Sequence, residues 1–254
     1  MDRITSAKNP AVQRLRSLKD AKARRETGLF LVEGEVMIRE ALGCGLKLIE
    51  LAAEEAHADF AQAVCGGARG FIVTRSLLET ICDTRTPQGV CAAFELPEPV
   101  TLENLPERIV ALDGVQDPGN LGTIWRTADA AGFQALLLGA GGADPLSPKV
   151  QRAAMGSGFR VPFCHAPELA DALLQLRQRG YRVFASDLSG ADFYAHPDAG
   201  EKFVLVIGNE ARGISAAVRE AADFRVKLPM RGGAESLNAA VAAGIMMYEL
   251  MRGR

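Results

Sequence analysis

Beyond residue 108 the chain alternates apolar runs with helical patterns, and this alternation constrains the fold more than any other feature. The runs IVALDGV, QALLLGA, YRVFASDL, FVLVIGN and FRVKLP are interleaved with helical periodicity over 122–131, 148–155, 168–179, 215–222 and 237–251. Strands apolar along their whole length need cover on both faces. The pattern therefore predicts an α/β domain whose mainly parallel sheet is layered by helices on both sides. Ligands of such sheets bind outside the carboxyl ends of the strands. Three polar, glycine-bearing segments fall at such ends: 113–133, 207–215 and 228–241.

Upstream lies a smaller α/β pattern. A basic amphipathic helix over 11–25 precedes the strand LFLVEG. A helix over 36–42, the strand LKLIELAA, a helix over 58–65, the strand FIVT, a helix over 76–81 and the strand GVCAAFEL follow. The segment LPEPVTLENLPER carries three prolines and little periodicity, as a linker does. The expected organisation is a small domain over 1–96, a linker over 97–107 and a larger domain over 108–254.

Charge and cysteine usage narrow the function. The net charge of −2 is not that of a uniformly basic nucleic-acid binder. Residues 1–26 nevertheless hold eight Lys/Arg against three acids. Lys8, Arg14, Arg16, Lys22, Arg24 and Arg25 in that stretch are candidate phosphate contacts, with an ordinary solvated helix face as the equal alternative. The five cysteines form no C-x-x-C pair and the three histidines stand far apart, so neither a disulfide framework nor a metal site is expected. The sequence has no secretory h-region and no run long enough to span a bilayer, so a cytoplasmic protein without a membrane partner is expected.

Each of the three strand-end segments has an ordinary reading beside a functional one. In the first, Asp117-Pro118-Gly119 makes a turn, Asn120 is placed as a helix N-cap, and Arg126 follows less than two turns later. Asn120 could only cap, and Arg126 could only pair with a surface carboxylate. In the second, Gly208-Asn209-Glu210 leads through Arg212-Gly213 into a helix, with glycines that allow close backbone approach. In the third, Gly232-Gly233 precedes Glu235-Ser236-Leu237-Asn238 at the start of the last helix, where Ser236 is a candidate N-cap. No phosphate loop, kinase signature or G-x-S-x-G elbow occurs. Gly139-Ala140-Gly141-Gly142 does not meet the dinucleotide spacing, which disfavours a nicotinamide oxidoreductase.

Taken in order, these segments resemble the SpoU (TrmH) family of the SPOUT class of RNA methyltransferases. The first supplies Asp117, Pro118, Asn120, Gly122 and Arg126. The second supplies Gly208, Asn209, Glu210 and Gly213. The third supplies Pro229, Met230, Gly232, Glu235, Ser236, Leu237 and Asn238. The stretch 147–163 is similar to the family's K-V-x-R-A-S-x-G segment, with Ala154 where serine is common. Ser6, Asn9, Pro10 and Val12, with the Phe30–Gly34 run, resemble the ribosomal-protein-like RNA-binding domain of rRNA-modifying members.

The resemblance implies a deep C-terminal trefoil knot, a homodimer, and S-adenosylmethionine as cofactor, with no metal. It implies methyl transfer to a ribose 2′-hydroxyl of RNA, with 23S rRNA favoured over tRNA. It assigns catalysis to Arg126, Asn120, Glu210, Ser236 and Asn238, with Asn120 and Glu210 orienting Arg126. Cofactor contacts are implied at Leu138, Gly139, Ile207, Gly208, Leu228, Met230, Ser236 and Leu237. A noncatalytic RNA-binding protein on the same fold is the rival reading.

Overall fold

A computed structural model describes residues 1–253. Met1–Glu98 and Asp144–Phe159 form one compact unit, and Pro99–Ala143 with the chain from Arg160 onward forms a second.

The chain opens with β1 (Asp2–Ile4), α1 (Pro10–Ser17) and α2 (Ala21–Thr27). The continuous helix expected over 11–25 is thus two helices. Leu18 ends α1 and Asp20, extended at φ −91°, starts α2. Then come β2 (Leu29–Glu33), α3 (Glu35–Gly43), β3 (Leu48–Ala53), α4 (Ala58–Cys65), β4 (Arg69–Val73), α5 (Arg75–Ile81) and β5 (Val90–Glu95). Their sheet has the order β1-β4-β3-β5-β2, with β5 antiparallel to both neighbours. Because side chains alternate along a strand, Leu29 and Leu31 join Val12, Leu15 and Leu78 on one face. Phe30 and Val32 join Ile38, Phe60 and Phe94 on the other.

The second unit continues with β6 (Arg108–Asp113), α6 (Pro118–Ala131) and β7 (Ala135–Leu138). The chain then contributes α7 (Pro148–Ala154) and most of α8 (Ser157–Arg160) to the first unit. This stretch packs with the first unit while lying inside the larger domain expected over 108–254. Leu146 and Phe159 pack against the Phe30 face, with the Phe30 and Phe159 rings 6.2 Å apart, and Arg24 holds Asp144 at 2.7 Å. The chain returns through β8 (Phe163–His165), α9 (Leu169–Gln178), β9 (Arg182–Asp192), β10 (Phe203–Gly208), α10 (Ala216–Ala221), β11 (Phe224–Lys227) and α11 (Ala239–Leu250).

These six strands form a wholly parallel sheet in the order β11-β9-β10-β6-β7-β8. Ile109, Ala111, Val204 and Val206 face α9 and α10 through Leu173, Leu176 and Val218. On the other face α11 packs on β10 and α6. The expected linker is tied down from Pro99 on. Leu105 is buried in this core, Arg179 donates to the Leu102 and Glu103 carbonyls, and the Tyr181 hydroxyl donates to those of Leu105 and Pro106.

Candidate active site

The first loop is shaped by Asp117. Its side chain accepts from the Asn120 N–H at 2.8 Å, so Asp117 is the N-cap of α6 and Asn120 lies inside the first turn. The N-cap assigned to Asn120 is thereby corrected. With its backbone N–H capped by Asp117, the Asn120 amide is released for long-range contacts.

The second loop turns back on itself at the end of β10. Asn209 and Gly213 exchange both backbone hydrogen bonds, at 3.0 and 2.9 Å. The buried Asn209 side chain accepts from Ala211 and Arg212 N–H and donates to the Gly114 carbonyl at 2.8 Å, tying this loop to the end of β6. A Cβ on Gly208 would lie 2.3 Å from the Gly213 carbonyl carbon, so the close return of the chain requires glycine there.

Glu210 and Asn238 join the three loops. Glu210 accepts from the Gln116 and Asp117 N–H groups at 3.3 and 3.2 Å and from the Asn120 amide at 2.9 Å. Asn120 in turn accepts from the Asn238 amide at 2.9 Å. Asn238, not Ser236, is the N-cap of α11, accepting from the Ala240 and Val241 N–H groups at 2.9 and 3.3 Å. The direction of every bond is fixed: helix N–H to Asn238, Asn238 to Asn120, Asn120 to an ionised Glu210. Burial pushes the Glu210 carboxyl up, but the Asn120 amide and the backbone N–H groups outweigh it and hold it below the usual glutamate range. A carboxylate so saturated is a poor proton acceptor and a good anchor.

Arg126 stands apart from this chain of amides. Six residues at about 100° each place it roughly 120° round the helix from Asn120. It is exposed and makes no hydrogen bond or ion pair among the described residues. The expected orientation of Arg126 by Asn120 and Glu210 is thus not made here. Its guanidinium donors are all available.

A cleft of about 350 Å³ opens at the carboxyl ends of β9, β10 and β11. Of the residues expected to hold a cofactor, Ile207, Gly208, Leu228, Met230, Ser236 and Leu237 line it, together with Glu210 and Asn238. Leu138 and Gly139 do not. They end β7, which is separated from β10 by β6. Their place is taken by Ser186, Asp187 and Leu188 on β9, residues the sequence reading passed over. Asp187 is buried and fully engaged: Ser189 donates through its N–H and hydroxyl at 3.0 and 2.9 Å, and Arg219 at 2.7 Å. Leu188 and Leu237 expose apolar side chains, 67% and 38% accessible, beside this cleft. Arg212 and Lys227 also line it.

Among the candidate phosphate contacts, Lys8, Arg16, Lys22 and Arg25 are exposed. Two are committed internally, which corrects their assignment. Arg14 grips Glu50 through two bonds of 2.9 and 2.6 Å. Arg24 is 3% exposed and spends its donors on the Leu18 and Lys19 carbonyls and Asp144.

A fully parallel, doubly covered sheet with its cleft at the strand ends is the arrangement in which α/β proteins bind their ligands. Residues 107–248 match the SpoU rRNA methylase family, and residues 9–92 match the MRM3-like substrate binding domain. The chain belongs to the SpoU rRNA methylase family and is an S-adenosylmethionine-dependent RNA methyltransferase. It is 36% identical to the 23S rRNA (guanosine(2553)-2′-O)-methyltransferase RlmP of Bacillus subtilis (strain 168), over 98% of this chain and 99% of the relative. An S-adenosylmethionine-bound rRNA methyltransferase from Sinorhizobium meliloti superposes with a TM-score of 0.88 at 35% identity, covering 99% of this chain and 97% of the other. The SpoU methyltransferase AviRb from Streptomyces viridochromogenes, in complex with the same cofactor, gives 0.86 at 30% identity over 96% and 98% of the two chains.

The cleft residues fit that cofactor. Ile207, Leu228, Leu237 and Met246 provide an apolar wall for a purine, while Ser186, Ser236 and the loop backbone provide polar contacts for its ribose and amino-acid ends.

Proposed function

We propose that this chain methylates a ribose 2′-hydroxyl of 23S rRNA. The carrying observation is the bonded series Asn238–Asn120–Glu210, which locks three strand-end loops around one cleft. The full-length likeness to a relative named for 23S rRNA 2′-O-methylation supports the substrate. S-adenosylmethionine supplies a methyl group on a sulfonium, a good leaving group that needs no metal. What remains for the protein is positioning.

In this reading Ile207, Gly208, Leu228, Met230, Ser236 and Leu237 hold the cofactor. Asn120, Glu210 and Asn238 set the loop geometry, and Ser236 and Asn238 face the target ribose. Arg126 acts through its charge. A guanidinium stays protonated, so it organises the 2′-oxygen and adjacent phosphate; as the 2′-oxygen takes the methyl group, S-adenosylhomocysteine leaves and the hydroxyl proton passes to water. RNA is held through phosphates by Lys8, Arg16, Lys22 and Arg25 of the first unit.

Homodimerisation belongs to the same proposal. Val241, Ile245 and Tyr248, spaced i, i+4, i+7 on α11, expose an apolar stripe at 51%, 37% and 56% accessibility. The knotted C-terminus is part of it too, supported by β10 lying between β9 and β6 and by α11 returning onto α6. A cytoplasmic location fits an rRNA substrate, and no helix among the described residues is long and apolar enough to cross a membrane.

The reading is tested by calorimetric titration with S-adenosylmethionine followed by transfer of labelled methyl to RNA. Saturable cofactor binding with label on a ribose is the expected result. Binding of RNA without any cofactor binding would leave a noncatalytic RNA-binding protein.

A further inference from the structure

Three elements remote in sequence bring cations to one place on the first unit. Lys19 Nζ donates to the carbonyls of Thr80 at 2.8 Å and Cys82 at 3.4 Å, at the end of α5. The next residue, Asp83, takes Arg152 of α7 at 3.0 Å. Arg24 holds the Leu18 and Lys19 carbonyls on one side and Asp144 on the other. The turn between α1 and α2, the loop after α5 and the α7 segment therefore meet. Arg16, one turn before Lys19, is exposed without a hydrogen bond or ion pair among the described residues, as are Arg85, two residues past Asp83, and Lys149, one turn before Arg152.

Six cations thus gather with four acids, Asp20, Asp83, Asp144 and Glu33, the last holding the Thr84 hydroxyl at 2.6 Å, a local surplus of two positive charges (6 − 4) in a chain whose net charge is −2. Lys19 spends its charge on neutral carbonyls, and Arg24 Nε and Arg152 Nη1 are buried donors with no partner. A solvated helix face does not look like this, because its cations come from one helix and pair along it, as Lys22 and Glu26 do on α2 at 3.7 Å. An excess of positive charge assembled from three elements, with the exposed head groups of Arg16, Arg85 and Lys149 unspent, complements a polyanion.

We propose that this composite surface, centred on Arg85, Lys149 and Arg152, is where the RNA backbone docks on the first unit, extending the cations of α1 and α2 onto the segment around α7. The inference rests on the proposed action on RNA. The head groups of Arg85 and Lys149 take phosphate oxygens, and Arg152, braced by Asp83, supports them. The aromatic rings of this unit are at most partly accessible, and Phe30, Phe71 and Phe94 are buried, so no base-stacking platform accompanies the cations. The surface therefore positions RNA without reading its sequence.

The test is a full-length Arg85→Ala/Lys149→Ala double variant titrated with transcribed 23S rRNA and with an unrelated structured RNA at several salt concentrations. The slope of log affinity against log salt is expected to fall in magnitude by about 1.4–1.8 for both RNAs, since each lost phosphate contact removes about 0.7–0.9. The KM for RNA should rise with kcat at saturating RNA and S-adenosylmethionine affinity held, and Arg85→Lys/Lys149→Arg should restore it. Lys47→Ala, a cation of the same unit paired with Glu95, serves as the comparison and should leave the slope alone. A wild-type slope and KM in the double variant would overturn the surface. Because binding is read separately from methylation, a wild-type protein that binds RNA through these residues yet transfers no methyl group would instead overturn the functional reading alone.

Discussion

Glu210 ends a chain of amides whose polarity is set by the first N–H groups of α11, so it acts as an anchor for loops and its worth depends on staying ionised. Glu210→Gln keeps the size but replaces one acceptor oxygen with a donor, and Asn120→Ala cuts the chain in the middle. Both should lower kcat by about 10- to 100-fold through misplacement of the loops and weaken S-adenosylmethionine binding as well, as single-turnover rates and calorimetry would report. The pH dependence has a definite sign. The folded carboxyl titrates below its unfolded value, so its stabilising contribution is complete above the usual glutamate range and is lost as pH falls through the depressed value. Melting temperatures of wild type and Glu210→Gln should therefore differ at neutral pH and converge in acid. Arg14 gives an opposite lesson. Its partner Glu50 is 1% exposed, so Arg14→Ala strands a buried carboxylate and should destabilise the fold by about 3 kcal/mol in denaturant titration, with the RNA salt slope unchanged. At this scale the sequence pointed to the residue types of the site but misplaced both helix caps. Asp117 and Asn120, like Ser236 and Asn238, are all competent caps, and tertiary bonds decide between them.

Elements were legible where periodicity was long. All ten longer strand and helix patterns beyond residue 108, five of each, form where the alternation put them, because apolar strands and amphipathic helices carry their own signal. The three-residue strands β1 and β8 have too short a pattern to read, and the break at Leu18–Asp20 hides inside a continuous basic stretch. Strand order is not written locally at all. Leu138–Gly139 was expected in the cofactor cleft, but β6 intervenes between β7 and β10, and β9 brings Ser186–Leu188 instead. The transfer of 144–159 to the first unit was likewise hidden, because it depends on Leu146 and Phe159 finding the Phe30 face. Gly208→Ala tests the loop geometry at this level. A Cβ would sit 2.3 Å from the backbone of Gly213, so the variant should lose about 1–3 kcal/mol of stability together with cofactor binding.

Across the whole molecule, chemistry and substrate capture draw on different parts of the chain. The second unit carries the cleft and the bonded loops, and the first gathers cations on one part of its surface, around Arg16, Arg85 and Lys149. RNA affinity should therefore fall steeply with salt while cofactor affinity does not, a contrast that filter binding and calorimetry at matched salt would expose. The apolar stripe on α11 adds a prediction on assembly: Tyr248→Asp should shift the sedimentation coefficient from dimer to monomer. The most direct test of the account follows the methyl group. Wild-type protein, labelled S-adenosylmethionine and unmodified 23S rRNA should yield label at one ribose 2′-oxygen, and Arg126→Ala should cut the rate by at least about 100-fold without loss of cofactor binding. Label on a base, or full ribose methylation by Arg126→Ala, would contradict it.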